Sequence, residues 1–183
     1  MDILSRLAVS VSRRQRLCAA LVVALAVIRP PVASGATEPD ALTERYRDWT
    51  VQCATPDNGA RRCWMMQTLT QEKSGQRILQ VELTLAGGNP LMMLLTPLGL
   101  LLPEGAQLTI DDGAPRTVAF RTCLPRGCIA QETASEASLA NLRRGQTLTV
   151  ALTPLNGDAA LTLGVSLAGF SAAYDRLAAL AGG

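Results

Sequence analysis

Four cysteines carry the most chemically informative spacing in this sequence of 183 residues: Cys53 and Cys63, with nine residues between them, and Cys123 and Cys128, with four. Thiols at such spacings can bind zinc, cycle between dithiol and disulfide, or tie a fold together. The zinc reading fails on pattern, because neither interval gives the C-x2-C knuckle of a structural site. A thioredoxin-like redox centre needs C-x-x-C opening a helix, and the chain has none. The adjacent acids Asp111 and Asp112 raise calcium binding or acid catalysis, yet no ligand spacing of a calcium loop accompanies them and Gly113 turns the triplet into a solvated turn. The chain contains no histidine. That removes the usual general base near neutral pH, the commonest transition-metal ligand and the middle member of hydrolase triads. No catalytic residue, metal site or cofactor is therefore expected, and the protein is read as not an enzyme.

What remains for the cysteines is structural, and the N-terminus supplies the compartment. Arg13, Arg14 and Arg16 precede the apolar run Leu17 to Ile28, which Pro30, Pro31 and the small-residue stretch Ala33 to Ala36 follow. This is the order of a secretory signal peptide, expected over residues 1–36 with cleavage after Ala36. The apolar run of about a dozen residues is short against the roughly 20 needed to span a bilayer, so cleavage is favoured over a retained anchor. Ser12-Arg13-Arg14 invites a twin-arginine reading, but Arg16 stands where such signals prefer an apolar residue, which favours ordinary Sec export. Residues 37–44, polar and containing Pro39, are expected as a mobile arm, and 45–183 as a single domain.

Removal of the leader changes the charge. The whole chain has 17 Lys and Arg against 15 acids; five of the basic residues and one acid precede residue 37, which leaves 12 and 14 and a net charge of −2. A mildly acidic domain whose single lysine is Lys73 has no basic stripe, so nucleic acid is not expected as a partner. Cys18 leaves with the leader. Four cysteines in an exported chain imply two disulfides. Local pairing, Cys53 with Cys63 and Cys123 with Cys128, is favoured on proximity. Trp49, Val51 and Cys53 alternate along one segment and Cys63, Met65 and Gln67 along the next, with the turn Pro56-Asp57-Asn58-Gly59 between them. Loop entropy does not decide the matter, because it assigns each short loop roughly 2 to 3 kcal/mol and a long crossed loop somewhat more.

The elements that must hold these residues are mostly strands. Arg45 to Cys53, Cys63 to Thr70 and Ile78 to Leu85 read as the first three; in the last, Leu79, Val81, Leu83 and Leu85 alternate with Gln80, Glu82 and Thr84. Leu91 to Leu102 is the most apolar stretch outside the leader. Thr96, Pro97 and Gly99 interrupt it, so two buried strands joined at Pro97-Leu98-Gly99 fit better than a membrane span, with Met92 and Met93 as core filler. Strands are also expected at Gln107 to Asp111, Thr117 to Cys123, Ile129 to Thr133, Thr147 to Thr153 and Leu161 to Leu167. Ser135 to Leu142 reads as a short helix with Ser135 as N-cap and Gly145 beyond its end. Ser171 to Leu180 reads as another, with Ala172, Ala173, Leu177 and Leu180 on its apolar face. Eight or nine short strands with Gly/Pro turns and two disulfides point to an all-β fold, an antiparallel β-sandwich or barrel-like sheet with one or two short helices.

One further pattern is an order of short motifs: Trp49-Thr-Val-Gln-Cys53, Cys63 with Met66-Gln67, and Pro97-Leu-Gly-Leu-Leu-Leu-Pro-Glu-Gly105. Ile110-Asp-Asp-Gly113, Cys123-x4-Cys128-Ile-Ala130, Leu142-Arg-Arg-Gly145, and Ser166-Leu-Ala-Gly-Phe170 with Ala172-Ala173 complete it. Over residues 45 to 180 this resembles the invasion-associated locus B family. The resemblance implies an exported, all-β, disulfide-bonded domain of Gram-negative bacteria with no assigned catalytic residue or cofactor. It implies Cys53, Cys63, Cys123 and Cys128 as staples and Gly169-Phe170 as a turn closing onto the last helix. The family's name comes from members associated with entry into host cells.

The expectation is thus an exported binding module of the envelope, periplasmic, surface-associated or secreted, whose partner is an envelope or host protein. A structural or stress-related periplasmic role without a small ligand is the alternative. Phe120-Arg-Thr-Cys-Leu-Pro-Arg-Gly-Cys128 is the stapled turn around which the domain is organised, and Arg126 at its tip is the candidate contact. A contiguous apolar or Arg-lined patch around Arg121 and Arg126 would mark such a surface.

Overall fold

The computed structural model describes residues 41–56, 59–157 and 159–181. The leader expected over 1–36 and the first part of the expected arm lie outside these residues. Strands β1 (Leu42–Tyr46), β2 (Trp49–Ala54), β3 (Arg62–Thr70), β4 (Arg77–Ala86), β5 (Asn89–Thr96), β8 (Phe120–Leu124) and β9 (Gly127–Thr133) form a seven-stranded sheet in the order β1-β2-β3-β4-β5-β9-β8. Strands β6 (Ala106–Ile110), β7 (Arg116–Val118), β10 (Thr147–Leu152) and β11 (Leu161–Ser166) form a second sheet in the order β11-β10-β6-β7. All pairings are antiparallel. Helix α1 (Glu136–Arg144) connects the sheets and α2 (Phe170–Ala181) closes the chain.

Alternation builds the core. Leu79, Val81 and Leu83 of β4 are buried, as are Met92 and Leu94 of β5; Leu108, Leu148, Val150 and Val165 face them from the second sheet in one shared cluster. Two sheets burying one face each against a common apolar layer make a β-sandwich. Gln67 stitches the layers. Its amide donates to the Ser166 carbonyl at 2.9 Å and accepts the Ser166 N–H at 3.0 Å, while the Trp49 indole N–H donates to the same carbonyl at 2.8 Å. Trp49 meets Phe170 of α2 edge-on, with ring centroids 5.1 Å apart. Gly169 precedes Phe170 with φ +89°, and a Cβ there would sit 2.0 Å from the Tyr46 carbonyl oxygen, so only glycine fits this closing turn.

Several boundaries differ from the sequence reading, each for a local reason. The segment Arg45 to Cys53 is a hairpin rather than one strand: β1 starts at Leu42, inside the segment expected as an arm, and the chain reverses at Arg47, whose φ is 56°. The apolar stretch Leu91 to Leu102 holds one strand, not two. Pro97 has no N–H for the ladder, and beyond it only Leu100 makes a bridge, to Pro154, before a single 3-10 turn at Leu102–Glu104. Thr117 to Cys123 divides into β7 and β8, which belong to different sheets, so the chain changes layer at Ala119. In α2 the buried face is Phe170, Ala173 and Leu177, and Ala172 is exposed. The strand number is accordingly eleven among the described residues, above the expected eight or nine.

Candidate functional site

The stapled turn is built by pairing before it is tied. Strands β8 and β9 place Cys123 opposite Cys128 and Leu124 opposite Gly127, which leaves Pro125 and Arg126 as the two corner residues. Cys123 and Cys128 are joined, as are Cys53 and Cys63, which face each other across the β2–β3 hairpin. Proline presets the first corner dihedral. Gly127 has φ +139°, and a Cβ on it would stand 2.1 Å from the Thr96 carbonyl oxygen, so the turn sits directly on the end of β5. The Thr96 hydroxyl, buried there, donates to the Cys128 carbonyl at 3.1 Å. From the start of β4, the Arg77 guanidinium donates to the Arg126 carbonyl at 2.8 Å. Strands β4 and β5 thus fix the turn carried by β8 and β9 while the Arg126 side chain stays exposed.

Around this turn the protein shows leucines to solvent. Leu98 is 57 % exposed, Leu124 49 % and Leu155 67 %. Leu98 and Pro125 line one groove of about 420 Å³ together with Arg77 and Arg126. The loop carrying Leu98 is held to the β10–β11 turn, where the Leu155 N–H donates to the Gly99 carbonyl at 2.8 Å. Leu98 thus lies between the groove it shares with Arg77 and Arg126 and the β10–β11 turn that carries Leu155. Arg121 is exposed on β8, beside the irregularity between Phe120 and Thr122. Sequence reasoning reached Arg126 but missed Arg77, Leu98 and Leu155. The available signal was a large apolar residue inside a Pro/Gly turn, as in Pro97-Leu98-Gly99 and Pro154-Leu155.

The remaining polar clusters are tied to the fold. Asp111 is not merely a solvated turn residue: its carboxylate accepts the backbone N–H groups of Gln146 at 3.0 Å and Thr147 at 2.9 Å. Glu44 accepts from Arg176 of α2 at 2.8 and 3.1 Å and from the Tyr46 hydroxyl at 2.8 Å. The hydrogen bond from Arg176 holds the Glu44 carboxyl below its ordinary value, and burial pushes the Tyr46 hydroxyl up. Arg116 pairs with Glu132 and also lines a cavity of about 490 Å³ beneath α1, and burial lowers the pKa of its guanidinium. Burial raises the Glu82 carboxyl, against a weaker opposing hydrogen bond from Gln80. Glu44 and Glu82 shift in opposite directions, as an acid–base pair would. They stand on opposite faces of the large sheet, however, because Glu44 shares the row of buried Val51 and Glu82 that of Met66, so they cannot act on one bond. Among the described residues no group of three or more Cys, Asp or Glu could hold a metal ion, and no helix is long and apolar enough to cross a membrane.

Comparison with known proteins places this arrangement. Residues 49–178 match the family model described as invasion associated locus B (IalB) protein. An invasion protein B homolog of Brucella abortus is 41% identical over 140 residues, covering 76% of this chain and 80% of its own length. Invasion protein B of Bartonella bacilliformis is 31% identical over 159 residues, covering 85% and 84% respectively. The crystal structure of invasion associated protein b from Bartonella henselae superposes with a TM-score of 0.69 at 31% identity, covering 77% of this chain and 97% of that one.

Proposed function

The chain belongs to the invasion associated locus B family, and we propose that it is an exported, non-enzymatic interaction module of the cell envelope that grips a partner protein at its stapled end. The observation that carries this reading is the trio of exposed leucines, with Leu124 and Arg126 on the covalently fixed turn and Leu98, Leu155 and Arg77 on the segments beside it. Single exposed leucines are ordinary on a protein surface, whereas a group of them at one end, rimmed by polar residues, is the usual mark of a contact surface. Leucine supplies desolvation and arginine supplies directional donors, and arginine is among the residues enriched where interfaces hold their energy. Two disulfides suit an oxidising compartment, which supports export to the periplasm or the cell surface. Separation of the two shifted carboxylates onto opposite faces supports recognition without turnover. The relatives' names connect them with invasion, and we extend that association to this chain as part of the same proposal.

The test is affinity capture from envelope and host-cell extracts with the oxidised domain of residues 37–183 as bait, run beside Arg126→Ala and a Leu98→Ser, Leu155→Ser double variant. A partner retained by the native protein and lost from both variants is the expected result. Equal recovery by all three baits would remove the stapled end from recognition. Fractionation of cells expressing the full chain checks export separately.

A further inference from the structure

The large sheet has a second face, and it is not the polar one an antiparallel sheet normally turns to water. The residues that alternate with the buried ones form three cross-strand rows. Trp64, Thr84 and Leu91 lie side by side in the first; Met66, Glu82 and Met93 in the second; Gln80, Leu95 and Ile129 in the third. Trp64, Met66, Leu91, Met93 and Ile129 are half-buried and absent from the cluster that unites the two sheets, whereas Leu95, also outside that cluster, is buried beneath the stapled turn, 3.2 Å from where a Cβ on Gly127 would stand. The paired methionines Met65-Met66 and Met92-Met93 divide, one of each pair entering the core and the other facing outward, so Met93 is not core filler.

This face has a defined relief. Two apolar columns, Trp64 and Met66 on β3 and Leu91 and Met93 on β5, flank the polar column Thr84, Glu82 and Gln80 on β4. The columns are two strand spacings apart, roughly 10 Å, which is the diameter of a helix with its side chains. The accessible part of the β5 column, Leu91 to Met93, runs for about 7 Å, a little over one helical turn, before Leu95 passes beneath the stapled turn. Methionine is the side chain that adapts best to an apolar surface of this kind. At the centre stands Glu82, half-buried, whose one described polar contact is the Gln80 amide at 3.2 Å. Arg45 stands at the rim beyond Thr50 and Met66, and Arg61 and Arg62 line a cavity of about 750 Å³ together with Trp64, Glu82 and Thr84.

We propose that this face is a docking groove for an amphipathic helix of a partner protein whose apolar side carries one lysine or arginine, seated against Glu82 between the Trp64/Met66 and Leu91/Met93 columns. Charge decides the occupant. A second copy packed face to face across a two-fold axis on Glu82 would bring two carboxylates together in an apolar layer, a repulsive arrangement, whereas a basic side chain completes the half-buried acid. The groove is distinct from the stapled end and does not depend on it.

The probes are two fluorescent synthetic helices of identical Leu, Ala and Gln composition and equal net charge, one with its single lysine at the centre of the apolar side and one with that lysine moved to the polar side. Anisotropy gives the affinity, and tryptophan emission gives the location, because Trp49 is fully buried and Trp64 lies in the groove. The first helix is expected to bind roughly tenfold more tightly than its isomer, the strength of one hydrogen-bonded charge pair. Binding should shift Trp64 emission to the blue and shield it from iodide. Glu82→Gln should erase the preference and leave the thermal midpoint no lower, and Arg126→Ala should leave it unchanged. Equal affinity of the isomers, no binding by either, binding without protection of Trp64, or a dimer in sedimentation that Met66→Lys dissociates would each overturn the proposal. None of these outcomes bears on the stapled end, whose own variants test it.

Discussion

Replacing Gly127 with alanine should dislodge the stapled turn without touching its disulfide. An added Cβ would stand 2.1 Å from the Thr96 carbonyl oxygen, where ordinary contact begins near 3.4 Å, so the turn must retreat by more than an ångström from β5. Two hydrogen bonds depend on that seat: Thr96 Oγ1 to the Cys128 carbonyl and Arg77 Nη2 to the Arg126 carbonyl. Losing both costs about 1 to 3 kcal/mol, and the backbone conformation at φ +139° adds about 1 to 3 kcal/mol for a residue with a side chain. The sum is about 2 to 6 kcal/mol, which is a large share of the stability of a domain this size. Gly75→Ala is the control, since its φ is +66° but nothing lies within 4 Å of the new Cβ, so it carries backbone strain alone. Urea unfolding of the oxidised proteins, with unchanged m-value, measures the difference, and partner capture by Gly127→Ala should fall with that by Arg126→Ala. A loss no greater than that of Gly75→Ala, with Thr96 and Cys128 amide shifts unaltered, would refute the seating of the turn on β5.

Gln67→Met keeps the volume but removes both bonds to Ser166, so stability should fall by about 2 to 4 kcal/mol in urea; a change under about 1 kcal/mol would show that the sheets do not need this stitch. Glu82 has a folded carboxyl pKa above its ordinary value of 4.5, so the folded state binds the proton more tightly and stability falls as pH rises through that window. Glu82→Gln should therefore raise the urea midpoint at pH 7 and lose that advantage below the unfolded carboxyl value, and a variant equally stabilised at pH 3 would contradict burial as the cause. Glu44 has the opposite sign, because the Arg176 hydrogen bond lowers its pKa and its contribution is present above 4.5 and lost as pH falls further. Arg176→Met should flatten the acid limb of the stability profile, and an unchanged limb would show that this pair is not felt. Cys123→Ser with Cys128→Ser should cost about 2 to 3 kcal/mol, and a thermal midpoint equal to the native one would show that β8 and β9 hold the turn unaided.

Much of this protein is written locally. The alternation at Leu79, Val81 and Leu83 commits β4 to a half-buried strand wherever it is placed, and Ser135 caps α1 by accepting the Ser138 N–H at 3.1 Å. The short spacing of Cys123 and Cys128 around Pro125 makes a tight turn geometrically natural, and the lack of histidine limits chemistry before any fold exists. What the sequence could not disclose depends on which strand lies beside which. The period-two pattern is the same in either sheet, so the change of layer at Ala119 is invisible until β7 has β6 and β8 has β9 for partners. Nor does periodicity rank the two faces of a strand when both are apolar. Met92 and Met93 are equivalent in the sequence, and only the arrival of the second sheet and α2 over one side made Met92 core and left Met93 with Glu82 on the other. The assembly of Leu98, Leu155, Arg77 and Arg126 at one end has the same origin: residues tens of positions apart meet because hydrogen bonding and apolar burial fix register between strands, and register is a property of pairs that no single segment contains.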